Sequence, residues 1–445
     1  MAHIVPFRAL RYNPEIVPDP AAVVTPPYDV ISPEAQTRYH ARDPYNFVRL
    51  ILAREDPPDA TGRDRYDRSA RAYAAWRERG ILRPDPTPAI YLYEQEFDLG
   101  EGSRLRRRGF LGCVRLEDYD RGVVFPHERT FSRHKDDRLR LMHACPANLE
   151  AILGFYAGPA APLADFLDQH LAAPPAVQVT DEDGVAHRLW MLADAAGIGR
   201  LQAILVDQPV FIADGHHRYE TALNYRNERR RELPSPGDPS APHEFVLANL
   251  IHAEDPGLVI LPTHRIFRQP PRLRGRALQE RLARHFQLSE IPIGPAGPAE
   301  AVRSALADMA REGVSGVTCA LALRGEPCLH LTLRDEAVIQ GLLAAGHPAA
   351  YARLPVAVLH RLLVEEILGL GHPEADDDAI QYTRDPHEAL TAVADGRAEA
   401  ALFLTPPRVA DVRAIALAGG RMPHKSTYFY PKVLSGLVIH PLDQA

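Results

Sequence analysis

Val210-Phe-Ile-Ala-Asp-Gly-His-His-Arg-Tyr-Glu-Thr-Ala-Leu223 passes from an apolar run into a dense polar one and back into a helical pattern. The run up to Ala213 is short, aromatic and β-branched, as a buried strand requires. Gly215 permits backbone angles that other residues resist. The segment therefore predicts a strand over 209–213, a four-residue turn and a helix from about Tyr219 to Glu232. Asp214, Gly215, His216, His217 and Arg218 fall at the strand-to-helix junction, where the first helical amides attract anions.

Upstream, the alternation in Ala89 to Phe97 and the run Gly109 to Leu116 predict a hairpin across the turn region Gly100 to Ser103. Ala151 to Tyr156 and His187 to Leu192 read as strands, and Pro162 to Leu171 as a helix. Near the start, Thr25-Pro-Pro-Tyr-Asp-Val-Ile-Ser32 fixes an extended turn, and Ser32-Pro33-Glu34 reads as a helix cap with proline at the first helical position. A second helix is predicted over about Asp64 to Arg79. Downstream, Leu233 to Pro242 is a loop, and Phe245 to Ile251 and Leu258 to Pro262 are short strands. From Arg272 the texture turns to Ala- and Arg-rich helices between strands such as Val317 to Leu323, Cys328 to Leu333 and Glu399 to Leu404. This alternation predicts an α/β class, with α+β as its neighbour. It sets domains at 1–270 and 271–445, the terminal loop of the second returning to the site.

A net charge of −7 gives no long-range attraction for a polyanion, which argues against a nucleic-acid partner. Cys113, Cys145, Cys319 and Cys328 form no CxxC pair, so a reducing compartment is expected. The opening MAHIVPFRALRYNP has no basic region leading into an apolar stretch, and no long apolar run follows. The expectation is a cytoplasmic protein without a membrane partner.

Four segments carry chemistry. In the opening turn, Asp214 is placed to bind a metal or orient a hydroxyl, Arg218 offers a phosphate-binding fork, and His216 and His217 exchange protons near neutrality. A metal site, a phosphate cradle and a general base each use such an inventory; Asp214 as a plain helix cap is the structural reading. Phe125-Pro-His-Glu-Arg-Thr-Phe-Ser-Arg-His-Lys-Asp-Asp-Arg-Leu139 supplies His127, Glu128, Lys135 and Arg138. Phosphoryl transfer needs such cations, a carboxylate to orient the nucleophile and often Mg²⁺. Met422-Pro-His-Lys-Ser-Thr-Tyr-Phe-Tyr-Pro-Lys432 offers Lys425, Ser426, Thr427 and Lys432 among aromatics, either for stacking a base or for packing. Asp29 sits in the rigid PPYD turn. Only Lys135, Lys425 and Lys432 are lysines among 51 basic residues, and all lie in these segments. There is no HExxH or paired CxxC for zinc, no GxSxG, and no GxxxxGK[ST] or GxGxxG, so a nucleotide must be held in another way.

PPYDVI, HERTFSRHKDDRL, ADGHHRYETA and MPHKSTYFYPK, in this order, resemble an uncharacterised prokaryotic family over nearly the whole chain. More distantly, a strand ending in DGHHR resembles the phosphate-binding turn of the ParB/sulfiredoxin-like fold, and most nearly that of the free serine kinases. The resemblance implies a nucleotide-dependent phosphotransferase acting on free L-serine or a similar hydroxyl compound, with Mg²⁺ and with ATP or ADP as donor. It implies that Asp214 binds metal or orients the hydroxyl. Gly215, His216, His217 and Arg218 would then line the pocket, and a glutamate from another segment, for which Glu128 is the candidate, would act as base. Its alternatives are a ParB-like nucleotide-dependent DNA-binding switch and a non-catalytic nucleotide or metabolite sensor.

Overall fold

The computed structural model describes residues 2–55, 64–100, 102, 104–232, 237–295, 297–312, 316–334, 337–343, 351, 354–370 and 380–443. The chain divides into two compact units, one of Met1–Val259 with Pro431–Ala445 and one of Ile260–Tyr430. Sequence texture placed a single boundary near 270; the contacts divide the chain at 259/260 and again at 430/431. The physical reason is that the C-terminal strand-like stretch pairs with the N-terminal region. Leu10 and Ile439 bridge, as do Thr25 and Ser435.

The first unit is built on a mixed sheet. Its strands are β1 (Ile4–Val5), β2 (Ile90–Asp98), β3 (Arg104–Arg115), β4 (Val124–Phe125), β5 (Ile152–Tyr156), β6 (Val177–Thr180), β7 (Ala186–Leu192), β8 (Val210–Asp214) and β9 (Phe245–His252). The order is β4-β8-β5-β9-β3-β2-β7-β6, with β1 beside the end of β3. β2 and β3 form the expected hairpin, with Tyr91 opposite Leu111 and Asp98 opposite Arg104. Part of its turn, and 233–236 of the expected 233–242 loop, lie outside the described residues. β8 runs parallel to β4 and antiparallel to β5, while β9 runs parallel to β5. Every residue of β5 and β9 is buried, as strands covered on both faces must be.

Helix α1 (Ser132–Ala144) and helix α2 (His216–Glu232) pack on each other. The core joins Phe110, Ile152, Val210 and Ile212 of the sheet to Tyr219 and Ala222 of α2. A second cluster gathers Leu10, Phe47, Trp76, Leu141 and Ile439, which seats the chain's last strand-like stretch in the first unit. Ser32 caps the helix Pro33–Arg42 by accepting from the Ala35 amide, as the sequence predicts, and the helix expected over about Asp64 to Arg79 is Arg65–Glu78, capped by Asp64.

The second unit has an all-antiparallel sheet of β10 (His264–Phe267), β11 (Phe286–Glu290), β12 (Thr318–Leu323), β13 (Leu329–Leu333), β14 (Ile380–Thr383) and β15 (Ala400–Phe403). Their order is β11-β13-β12-β15-β10-β14. Ile266, Ala320, Ala322, Ala401 and Phe403 pack with Val302, Met309, Ala389 and Val393. The small residues let helices lie close on the sheet. A π-helical segment, Leu359–Leu368, ends at Gly369 with φ of 67°. Both units mix helices and strands, as the alternation predicts; the sheet of the first is mixed, and the antiparallel sheet of the second is the α+β form. Among the described residues, no helix is long and apolar enough to cross a membrane.

Candidate functional site

The chain reverses between β8 and α2 in one residue. Gly215 has φ of 90°, and a Cβ there would sit 3.0 Å from the Arg218 guanidinium. The Tyr219 amide donates to the Gly215 carbonyl at 3.0 Å, so the helix opens at His216. The expected four-residue turn is therefore shortened, because a left-handed glycine does the work of several ordinary residues. The consequence is chemical: His216, His217 and Arg218 form the first helical turn, whose amides have no acceptor within the helix.

Asp214 ends β8 between two cations. Its Oδ1 accepts from Lys432 Nζ at 2.6 Å and its Oδ2 from Arg218 Nη2 at 2.7 Å. Burial alone would raise this carboxyl, but Lys432 and then Arg218 outweigh it and hold it below the ordinary carboxylate range. Arg218 is buried, and it also donates to the Ala151 carbonyl. Its own desolvation is overcome by Asp214, Glu150 and Asp29, so its pKa is raised. Two desolvated cations thus converge on one carboxylate at a helix start.

A buried network continues behind Arg218. Glu150 Oε1 accepts from the Tyr28 amide at 3.0 Å and from Ser435 Oγ at 3.3 Å. Burial raises the Glu150 pKa against the pull of Arg218 and Arg138. Arg138 lies 3.9 Å over the Tyr28 ring and donates to the Ile51 carbonyl at 2.9 Å. The PPYD turn is docked by these contacts, and Asp29 adds its charge to the field at Arg218. Glu150 is a member that sequence reasoning missed. Its one signal is a lone acid at the mouth of an apolar strand.

On the other side of the turn, the loop before α1 meets the first turn of α2. His127 Nδ1 donates to the Ile212 carbonyl at 2.8 Å, and its backbone amide donates to His216 Nε2 at 3.3 Å. His216 Nδ1 is 3.5 Å from Glu128 Oε2. The two imidazoles meet edge to face, with centroids 4.6 Å apart. Donor atoms of His127, Glu128 and His216 all lie within 4.8 Å of one another. Next to them, His217 Nε2 accepts from the Phe131 amide at 3.0 Å, and Lys135 pairs with Glu220 at 3.0 Å. Thr130 donates to the same Glu220 oxygen at 2.6 Å.

The structure thus brings together Asp214, Gly215, His216, His217, Arg218, His127, Glu128, Lys135, Arg138, Asp29 and Lys432 within the first unit. The terminal motif is divided. Lys425, Ser426 and Thr427 belong to the second unit, where Ser426 Oγ donates to the Pro423 carbonyl at 2.6 Å. Lys432 belongs to the first.

The expected Mg²⁺ is a poor match to these residues. Mg²⁺ takes oxygen ligands, whereas both Asp214 oxygens are engaged by cations and the convergent donor set holds two imidazoles and one carboxylate.

The family model described as "Protein of unknown function (DUF1015)" matches residues 4–357. No curated protein matches the chain. Among solved structures, the chain is similar to a conserved hypothetical protein from Pyrococcus furiosus, with 14% identity over 70% of this chain and 90% of that one, at a TM-score of 0.31. It is similar to a free serine kinase in complex with AMP, with 13% identity over 70% and 87%, at 0.30. It is also similar to C-terminally truncated SbnI from Staphylococcus aureus, with 11% identity over 75% and 90%, at 0.33.

Proposed function

The chain belongs to the DUF1015 family of proteins of unknown function, and on the chemistry of its site we propose that it is a nucleotide-dependent phosphotransferase for a small hydroxyl substrate, free L-serine first among them. The observation that carries this reading is the clamp of Lys432 and Arg218 on Asp214 at the opening of α2. A migrating phosphoryl group needs fixed positive charge that requires no reorganisation when it arrives. Here both cations are already desolvated and aimed, and helix amides lie beside them. The DGHHR resemblance narrows the acceptor to serine or a close analogue.

In this reading Glu128 accepts the proton of the acceptor hydroxyl, whose oxygen bonds to the transferred phosphorus. The bond from that phosphorus to the nucleotide's bridging oxygen breaks, and the nucleotide leaves with the electron pair. Lys432 and Arg218 stabilise the phosphoryl oxygens.

The test is phosphoserine formation from L-serine with ATP or ADP and a panel of divalent cations, read by mass spectrometry. Glu128→Gln should lower turnover by roughly 10²–10⁴-fold, as expected for loss of a general base, while stability stays within about 0.5 kcal/mol. Equal turnover in variant and parent would remove Glu128 from the reaction. No product across serine and other small hydroxyl acceptors would remove the reaction itself and leave a nucleotide sensor as the reading.

A further inference from the structure

We infer that His127, Glu128 and His216 form a binding site for a divalent cation of the zinc kind, not for magnesium. Two separate elements supply the donors, the loop before α1 and the first turn of α2, so the cluster exists only in the folded first unit. His216 is 2% exposed and His127 is fully buried, while the Glu128 carboxylate keeps access to solvent. Donor atoms within 4.8 Å of one another are close enough to converge on one ion after small side-chain movements.

The tautomer of His127 is already set for ligation. Its Nδ1 proton is given to the Ile212 carbonyl at 2.8 Å, which leaves Nε2 as the nitrogen with the lone pair. A backbone carbonyl behind a ligating imidazole is the usual means of orienting such a ligand. His216 offers Nδ1, the atom that faces Glu128. Ligation there places the ring proton on Nε2 and ends the long 3.3 Å contact from the His127 amide. That contact is the one the ion displaces.

The choice of metal follows from the donors. Imidazole suits zinc, iron, nickel and copper, whereas magnesium demands near-octahedral oxygen ligands and keeps most of its water. Three protein ligands also leave positions open for water or a substrate oxygen, as in catalytic rather than structural sites. The inference does not depend on phosphoryl transfer, since a sensor with the same cluster binds the same ion.

The full chain, stripped with chelator and dialysed, is titrated with Zn²⁺ by calorimetry. It is then loaded with Co²⁺, whose visible d–d bands report nitrogen and oxygen ligation. One Zn²⁺ per chain is expected, retained through gel filtration and not displaced by millimolar-range Mg²⁺. Glu128→Gln and His216→Asn should each weaken Zn²⁺ at least tenfold, whereas His143→Ala, at an exposed histidine paired with Glu228, should not. Circular dichroism of the variants separates loss of ligation from loss of fold; where His216→Asn unfolds, Glu128→Gln decides. Failure to retain Zn²⁺, equal competition by Mg²⁺, or full affinity in a folded Glu128→Gln variant would each overturn the site. A protein that binds Zn²⁺ here yet makes no phosphoserine keeps the site and loses only the transfer reading.

Discussion

In the unit of Met1–Val259 and Pro431–Ala445, the buried Arg218 and the half-buried Lys432 close on a carboxylate. In the unit of Ile260–Tyr430, the buried Arg265 donates instead to an imidazole, His360 Nδ1, at 2.5 Å. His360 passes the interaction on through Nε2 to Glu365 at 3.4 Å. Burial lowers the Arg265 pKa, whereas Arg218, equally enclosed, has its pKa raised by Asp214 and its neighbours. The first arrangement concentrates opposed charge at a helix start, where it can meet a charged ligand. The second spreads its charge along a relay of imidazole and carboxylate.

The largest effect should come from Asp214→Asn. Lys432 and Arg218 would face each other across a neutral amide, and breaking a buried pair from one side costs about 3–5 kcal/mol. Urea unfolding followed by circular dichroism measures it. A loss under about 1 kcal/mol would mean that the clamp is solvated and that the contrast between the units is smaller than its geometry suggests.

Acid should act next, in the second unit through His264, as it does in the first through His440, whose pKa burial also lowers to about 4. Burial lowers the His264 pKa to about 4, while an unfolded histidine titrates near 6.5. Between those values the unfolded chain binds the proton and the folded one does not. Stability is therefore complete above about pH 6.5 and falls as pH drops towards 4. At pH 5 the deficit from this one residue is about 2 kcal/mol. His264→Gln should flatten the dependence of the urea midpoint on pH between 7 and 5, and an unchanged slope would relieve His264 of this role. His360, lowered to about 3 by burial and by Arg265 and Arg361, adds in the same direction.

The smallest change is expected from Arg265→Met. Replacing a buried cation that donates to an imidazole and not to a carboxylate by an apolar side chain of similar length should move stability by no more than about 1 kcal/mol. A loss as large as that of Asp214→Asn would erase the distinction between the two units.

Local chemistry is largely legible in the sequence. Ser32 caps the helix its spacing announces, the apolar stripe over 64–79 is a helix, and the alternation of Ala89 to Phe97 marks a true strand. Where reading failed, the cause was either one unusual backbone angle or long range. The sequence reads as helix only from about Tyr219 because the polar or small residues Asp214 to Arg218 look like a turn; Gly215 at φ of 90° lets the helix open at His216. No spacing rule finds His127, Glu128 and His216 together, since 89 residues separate the two histidines. Zinc motifs are recognisable only when the donors share a local element. The terminal motif looked continuous, yet its lysines part company at Tyr430, because Pro431 onward pairs with the N-terminal strands.

That last feature sets an order in time. Asp214 and Arg218 leave the ribosome long before Lys432, with the whole second unit to be made between them. Until that late lysine arrives, a half-neutralised carboxylate waits inside a nearly finished sheet. The centre is completed only when Lys432 reaches Asp214, so a nascent chain carries Asp214 and Arg218 without their charge balance. A fragment ending at Val259 would reproduce this immature state, and an intein-ligated peptide bearing Lys432 would be the natural means of completing it.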